Sequence, residues 1–290
     1  MAYKKEIEGE ITQVGSLKIL TEVYGQIAAI RMRKIRTSVL RNRNFISSIE
    51  SIFKDSLSAY AEKLSELVRV GKIKEGGKVT FLAHNGKTVA VLISANTGFF
   101  GEVVRETYKK FIEEIKNQDV EVTIIGRLGR LLFLEDEPNH PYTYFELPDY
   151  GINVNKLSEA IKHLVQYEEI RVYYGMYQSL VNQKPTTFAI SAGTPISGRV
   201  QKPDVIYMFE PSVEKILMFF ETQIFASLFD QAIHESQLAK FASRILAMDR
   251  AEQNIATRLK RLELEKLKTT HKVASKKQLN SLGSVISIGG

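Results

Sequence analysis

From Ser212 to Leu282 the chain contains no glycine and no proline. As one α-helix that stretch would exceed about 100 Å at roughly 1.5 Å per residue, far beyond the helix of an ordinary globular domain. Leu238, Phe241, Ile245, Met248, Ile255, Leu259 and Leu262 fall on one line in steps of three and four, with Glu252 as the polar member of the series. Such a line is a heptad seam, which buries a narrow stripe against a partner helix. One compact domain in a chain of 290 residues cannot cover a helix of this length. Part of it is expected to be covered by other chains.

The opposite end of the chain carries a second helical pattern. Residues 1–18 read as a polar lead-in, with Gly9 and Gly15 as breaks. A helix is expected from Leu20, where Leu20, Val23, Ile27 and Ile30 keep three-and-four spacing. Gly25 interrupts it at a cost of about 1 kcal/mol relative to alanine. No glycine or proline occurs from Gln26 to Val70, and Ile46, Ile49, Phe53, Leu57, Tyr60, Leu64 and Leu67 continue an apolar face. The spacing predicts a long helix closed by Gly71 as its C-cap. Two long helices at opposite ends, each with a seam, pack most simply as an antiparallel coiled coil. The expected division is therefore an N-terminal helix over 1–77, an inserted body over 78–209 and a C-terminal helix over 210–290.

The middle of the chain changes period. Val79–Leu82 and Thr88–Ser94 are short β-rich runs around His84-Asn85-Gly86-Lys87, a hairpin-like turn. A helical pattern follows through Val104, Tyr108, Phe111, Ile112 and Ile115. Val120–Ile125, Ile170–Tyr174, Thr187–Ser191 and Val205–Phe209 suit strands, and Leu157, Ile161, Leu164 and Val165 suit a helix. Glu135–Pro148 reads as a surface loop, and Pro211 falls where a helix start tolerates proline. Alternation of β and α elements predicts an α/β layer with a largely parallel sheet.

Charge narrows the partners without choosing one. The net charge is +7, which suits nucleic acid, anionic lipid or an acidic protein surface. Arg31, Arg33, Lys34, Arg36, Arg41 and Arg43 crowd the first helix, with no acid between Glu22 and Glu50. Such a run is either a solvated face or a docking surface for acidic or phosphate groups. There is no cysteine, so disulfides and thiolate metal sites are excluded. No apolar run approaches a membrane span, and Met1–Glu10 lacks a signal-peptide core.

Motifs for chemistry are weak. Gly98-Phe99-Phe100-Gly101 follows a strand and precedes a helix, as a phosphate-cradling loop would, but it lacks the third glycine of a dinucleotide loop and the Gly-Lys-Ser/Thr ending of a P-loop. Its two phenylalanines read as packing anchors. Gly126-Arg127-Leu128-Gly129-Arg130 reads as a turn with exposed charges. His84, His140, His163, His234 and His271 show no metal-binding spacing. No catalytic residue, cofactor site or metal site is expected, and the chain reads as a transmitter of position or force. Two other readings are a basic coiled-coil protein that binds nucleic acid and a nucleotide-binding enzyme built on the central body.

In Phe209-Glu210-Pro211-Ser212, Gln223-Ile224 and Ala247-Met248-Asp249-Arg250-Ala251-Glu252-Gln253-Asn254, the chain resembles the gamma subunits of rotary F-type ATP synthases. Ile27-Ala28-Ala29-Ile30-Arg31-Met32-Arg33-Lys34 is similar to that family's Val-Ala-Ala-Ala-Lys-Leu-Arg-Arg stretch, and Ser94–Gly101 to its Ser-Asp-Arg-Gly-Leu-Cys-Gly turn. Ile125–Gly129 and Pro185 also fit, in order along nearly the whole chain. Where the family carries Lys-Ala-Met-Lys, this chain has Glu22-Val23-Tyr24-Gly25. Where it carries Arg-Gln followed by Ile-Thr, this chain has His271-Lys272-Val273-Ala274-Ser275.

The resemblance implies a coiled-coil shaft with an inserted Rossmann-like α/β body. The shaft would stand inside a ring of alpha and beta subunits, and the body would touch epsilon and the c-ring of the membrane sector. It implies a non-catalytic rotor on the cytoplasmic face of the cell membrane, peripheral and not inserted, with no nucleic acid and no cofactor. Arg31, Arg33, Lys34, His271 and Lys272 are the candidate contacts with the ring.

Overall fold

The computed structural model describes residues 2–69, 78–79, 84–116, 118–191, 194–195 and 213–288. Helix α1 (Ala2–Arg69) comes first. Next come β1 (Lys78–Val79), β2 (Thr88–Ile93), α2 (Val103–Ile115), β3 (Glu121–Ile125), α3 (Arg127–Asp136) and β4 (Tyr142–Phe145). Then follow α4 (Val154–Leu164), β5 (Glu169–Tyr177), β6 (Gln183–Ser191), β7 (Thr194–Pro195) and α5 (Val213–Ile288). Gly71, Val205–Phe209 and Pro211 lie outside the described residues. By compactness the chain divides into two units: Met1–Ala29 with Arg244–Gly290, and Ile30–Ser243.

In the first unit α1 and α5 are antiparallel. Tyr3 bonds Glu265, Glu10 pairs with Arg258, and Gly25 lies against Met248, so position rises along one helix as it falls along the other. Glu8 accepts from Lys266 at 3.0 Å. The residues expected as a polar lead-in are helical from Ala2, with Gly9 and Gly15 inside the helix. The heptad packing of their neighbours outweighs the glycine cost of about 1 kcal/mol each.

The seam of α1 differs from the expected line. Ile7, Thr21 and Ala28 are buried and Val14 half-buried, at intervals of one heptad, with Lys4, Ile11, Lys18 and Gly25 half-buried or partly covered between them. Leu20, Val23, Ile27 and Ile30 are 53%, 45%, 37% and 56% exposed. The inner line carries the small residues Thr21, Gly25 and Ala28, and side-chain size at the contact sets how closely two helices approach. The Thr21 hydroxyl is satisfied inside its own helix, donating to the Leu17 carbonyl at 2.6 Å. On α5 of this unit, Leu262 is buried, while Ile245, Met248, Ile255, Leu259 and the polar Glu252 are half-buried. Arg244 is buried, with its guanidinium 6.0 Å from the Tyr24 ring.

The second unit is a three-layer α/β/α body. Its five-stranded sheet has the order β4-β3-β2-β5-β6, with the first four strands parallel and β6 antiparallel to β5. Strand β2 is buried on both faces, as its uninterrupted apolar run requires. Val89, Val91, Ile170 and Val172 pack with Leu157, Ala160 and Leu164 of α4 and with Phe225, Phe229 and Ile233 of α5. Ala90, Leu92, Val122 and Ile124 pack on the other face with Tyr108 and Phe111 of α2 and Phe133 of α3. A fully buried Phe or Ile side chain contributes about 1.5–3 kcal/mol. Ile35, Val39, Ile46 and Ile49 of α1 are buried as well, and Asn42 donates to Asp230 at 3.1 Å and to the Ser227 carbonyl at 3.2 Å, both on α5.

Three local expectations are corrected. The run at His84–Lys87 is not a hairpin: β1 pairs with β7, and β2 belongs to the other sheet. Gly126–Arg130 opens α3 rather than forming a free turn. The expected loop over Glu135–Pro148 contains β4, a parallel edge strand whose Tyr142–Phe145 register runs beside Val122–Ile125.

Candidate functional site

In a sheet of this order, β2 is the switch point: the chain moves outward from it to β3 and β4, then returns to β5 on its other side. The crevice at the carboxyl ends of such strands is where open α/β folds bind ligands. Here the chain's own side chains occupy that position. A Cβ added to Gly175 of β5 would stand 2.7 Å from Val103 of α2 and 3.6 Å from the Ala239 Cβ of α5. Beside Ala239, the ammonium of Lys240 donates to the Ser94 carbonyl at 2.8 Å, at the end of β2, and lies 3.4 Å from Asp149 Oδ1.

Asp149 is the centre of this junction. Its carboxylate accepts from the backbone N–H groups of Asn96 and Thr97, at 3.0 and 2.9 Å, and from the Thr97 hydroxyl at 2.9 Å. Asn96 donates to the Leu147 carbonyl at 2.5 Å, and its side-chain oxygen accepts from the Arg127 N–H at 3.0 Å, at the start of α3. The N–H donors of Asn96 and Thr97 on this loop and of Arg127 at the α3 N-terminus are thus taken by Asp149 and Asn96. Gln237 of α5 adds bonds to the carbonyls of Pro148 and Gly151, at 3.1 and 2.9 Å.

Tight backbone approaches explain two glycines. Gly126 has φ +102°, and a Cβ there would meet Ala95 backbone atoms at 2.8 and 3.0 Å. Gly101 has φ +63°, and a Cβ there would stand 2.4 Å from the Ser243 hydroxyl of α5. Of the two loop phenylalanines, only Phe100 is a packing anchor, buried edge-to-face on Phe241 at 5.7 Å; Phe99 is exposed, with φ +64°.

The candidate ring contacts have different surroundings. Arg31 is half-buried, its guanidinium 5.0 Å from the Tyr150 ring and 5.8 Å from Phe241, so α1 also reaches this junction. Arg33 and Lys34 are exposed on α1, and His271 and Lys272 are exposed on α5 in the first unit. Leu238 and Phe241 of the α5 line are buried in the second unit. Sequence reasoning missed Lys240 and Asp149. Neither belongs to a spacing motif, and the bond from Lys240 to Ser94 spans 146 positions.

One histidine is electrostatically tuned. His234 of α5 sits over Asp230, with Nδ1 3.3 Å from Oδ2. Burial opposes its protonation, but the hydrogen bond and charge of Asp230 outweigh that, and the net effect raises its pKa. Among the described residues no cluster of His, Asp and Glu is placed to hold a metal ion, and no helix is long and apolar enough to cross a membrane.

The fold, with antiparallel terminal helices and an α/β body inserted between them in the chain, is matched by solved structures. One is the central stalk and c-ring of the Tetrahymena thermophila mitochondrial ATP synthase, with TM-score 0.57 and 15% identity, covering 80% of this chain and 99% of that one. Another is from the Euglena gracilis mitochondrial ATP synthase, with TM-score 0.54 and 15% identity, covering 89% and 94%. Similar sequences include the ATP synthase gamma chains of Desulfitobacterium hafniense (22% identical, covering 91% of this chain and 92% of that one) and Pelotomaculum thermopropionicum (24%, covering 90% of each). The ATP synthase family profile matches residues 3–270. From one end of the coil through the body and back, the chain belongs to the ATP synthase family, in its gamma-chain branch.

Proposed function

We propose that this chain is the central-stalk rotor subunit of a proton-translocating F-type ATP synthase. It couples rotation of the membrane c-ring to ATP synthesis or hydrolysis at sites on the beta subunits. The observation that carries this reading is the family match over residues 3–270, together with antiparallel terminal helices pinned by cross-helix pairs. In this reading residues 1–77 and 210–290 supply the shaft and 78–209 the body. The shaft stands in the alpha–beta ring, and the body meets epsilon and the c-ring at the cytoplasmic face of the cell membrane.

The chain itself carries no catalytic group in this reading; it acts by presenting different faces to successive beta subunits. The exposed side chains of Arg33, Lys34, His271 and Lys272 supply contacts to acidic surfaces of the ring, and Arg31 positions its segment through Tyr150 and Phe241.

Co-expression with the alpha and beta subunits encoded in the same genome tests this. The expected product is a complex with one copy of this chain per three alpha–beta pairs, with ATPase activity that requires it. Failure to assemble, with tight salt-sensitive DNA binding instead, would favour the nucleic-acid reading.

A further inference from the structure

A rotor must pass torque between its α/β body and its long helix, and the second unit contains an ionic tie between the two. Lys240 of α5 is only 5% exposed. Its ammonium is held by the Ser94 carbonyl at the end of β2 and by Asp149, and lies 5.7 Å from the Phe100 ring. Asp149 in turn grips the backbone of Asn96 and Thr97, and Asn96 holds the start of α3. One side chain of the helix therefore engages a strand end and, through Asp149, the loop after that strand and the start of α3.

We propose that Lys240 is a positioning residue for rotary coupling: it locks α5 to the carboxyl edge of the sheet, so that the body and the helix turn without play. This rests on the rotor reading above. Apolar contacts such as Phe100 on Phe241 hold the two at the right distance, but packing is weakly directional in the plane of the contact. Hydrogen bonds to a fixed carbonyl and a fixed carboxylate are directional and, in a buried setting, stronger than in water. They oppose sliding of α5 across the strand ends, the displacement that torque would produce. Gln237, one turn earlier and bonded to two carbonyls flanking Asp149, resists the same displacement.

The chain has no cysteine, so Val181→Cys, in the exposed loop between β5 and β6, offers a unique attachment point on the body. The full chain carrying this change is assembled with its alpha and beta subunits, the ring is fixed to a surface, and a bead on Cys reports angular position. With Lys240→Met, which keeps the apolar stem, the angular variance during catalytic pauses should rise at least about twofold, while ATP turnover per rotating complex stays within about twofold. Lys240→Arg should restore most of the stiffness, since it keeps the charge and the donors. Asp149→Asn serves as a second variant with the same expected direction should Lys240→Met assemble poorly.

A merely structural role would reduce the number of rotating complexes and leave the variance of the remainder unchanged; that result overturns the proposal. Equal variance in wild type, Lys240→Met and Asp149→Asn overturns it too. A wild-type complex that hydrolyses ATP without turning the bead, or that never assembles, overturns the rotor reading and this proposal with it.

Discussion

Gly25 of α1 faces Met248 of α5 with room for one more carbon: a Cβ on the glycine would stop 3.6 Å from the Met248 Cβ, an ordinary contact. The position is helical, so alanine would lower the entropy of the unfolded chain and add apolar contact without strain. Gly25→Ala should stabilise the chain by about 0.5–1 kcal/mol, read as a higher denaturant midpoint at unchanged slope.

The inward line of α1 can be told from the outward one by a pair of substitutions. Ala28 is fully buried and Leu20 is more than half exposed. Ala28→Glu should cost about 2 kcal/mol or more, and Leu20→Glu no more than about 0.5 kcal/mol, in unfolding of the isolated chain. The opposite ranking would place the seam on the Leu20 line.

Asp149 and Lys240 should behave as one unit in stability. Removing either partner deprives a buried charge of its opposite charge, and Asp149→Ala also strands the donors of Asn96 and Thr97. Each single change should cost about 3–5 kcal/mol. Combining Lys240→Met with Asp149→Asn should cost less than the sum of the single changes, by about 0.5–3 kcal/mol in a double-mutant cycle.

His234 predicts a pH response. Its folded pKa lies above 6.5, burial being outweighed by Asp230. The folded state therefore holds the proton more tightly than the unfolded chain, and the resulting stabilisation is complete below about 6.5. It is lost as pH rises through the raised folded value. Asp230→Asn should flatten this part of the stability–pH curve, and His234→Gln should remove it.

Gly126 admits no side chain. With φ +102° and Ala95 backbone atoms within 3.0 Å of a built Cβ, Gly126→Ala should destabilise by about 2 kcal/mol or more. Thermal unfolding of the purified variant checks it.

What could be read from the residues follows from how local each signal is. The course of α5 was legible because a run without glycine or proline is a local property. The start of α1 was not, because Gly9 and Gly15 look like breaks until the partner helix is known to cover Ile7, Ile11 and Val14. Its seam was misplaced for a related reason: Leu20, Val23, Ile27 and Ile30 are the largest apolar residues there, whereas close packing selected Thr21, Gly25 and Ala28. The alternating α/β body was legible from period alone, but β4 was hidden among prolines, and the true partner of β1 lies more than a hundred residues away. The Lys240–Asp149 tie was illegible, since a lone lysine in a helix gives no hint of a carboxylate 91 positions earlier.

The cross-helix pairs of the first unit accept only one longitudinal alignment. Glu10 meets Arg258, Glu8 meets Lys266 and Tyr3 meets Glu265. Sliding α5 by one heptad in one direction would set Glu10 against Glu265; sliding it in the other would leave Glu10 opposite Ala251 and Glu8 opposite Leu259. The stripe recurs every heptad apart from polar members such as Glu252, so the charges act as a vernier on a largely periodic contact. The two helices of that unit are keyed to each other, and whatever displaces one along its axis must carry the other with it.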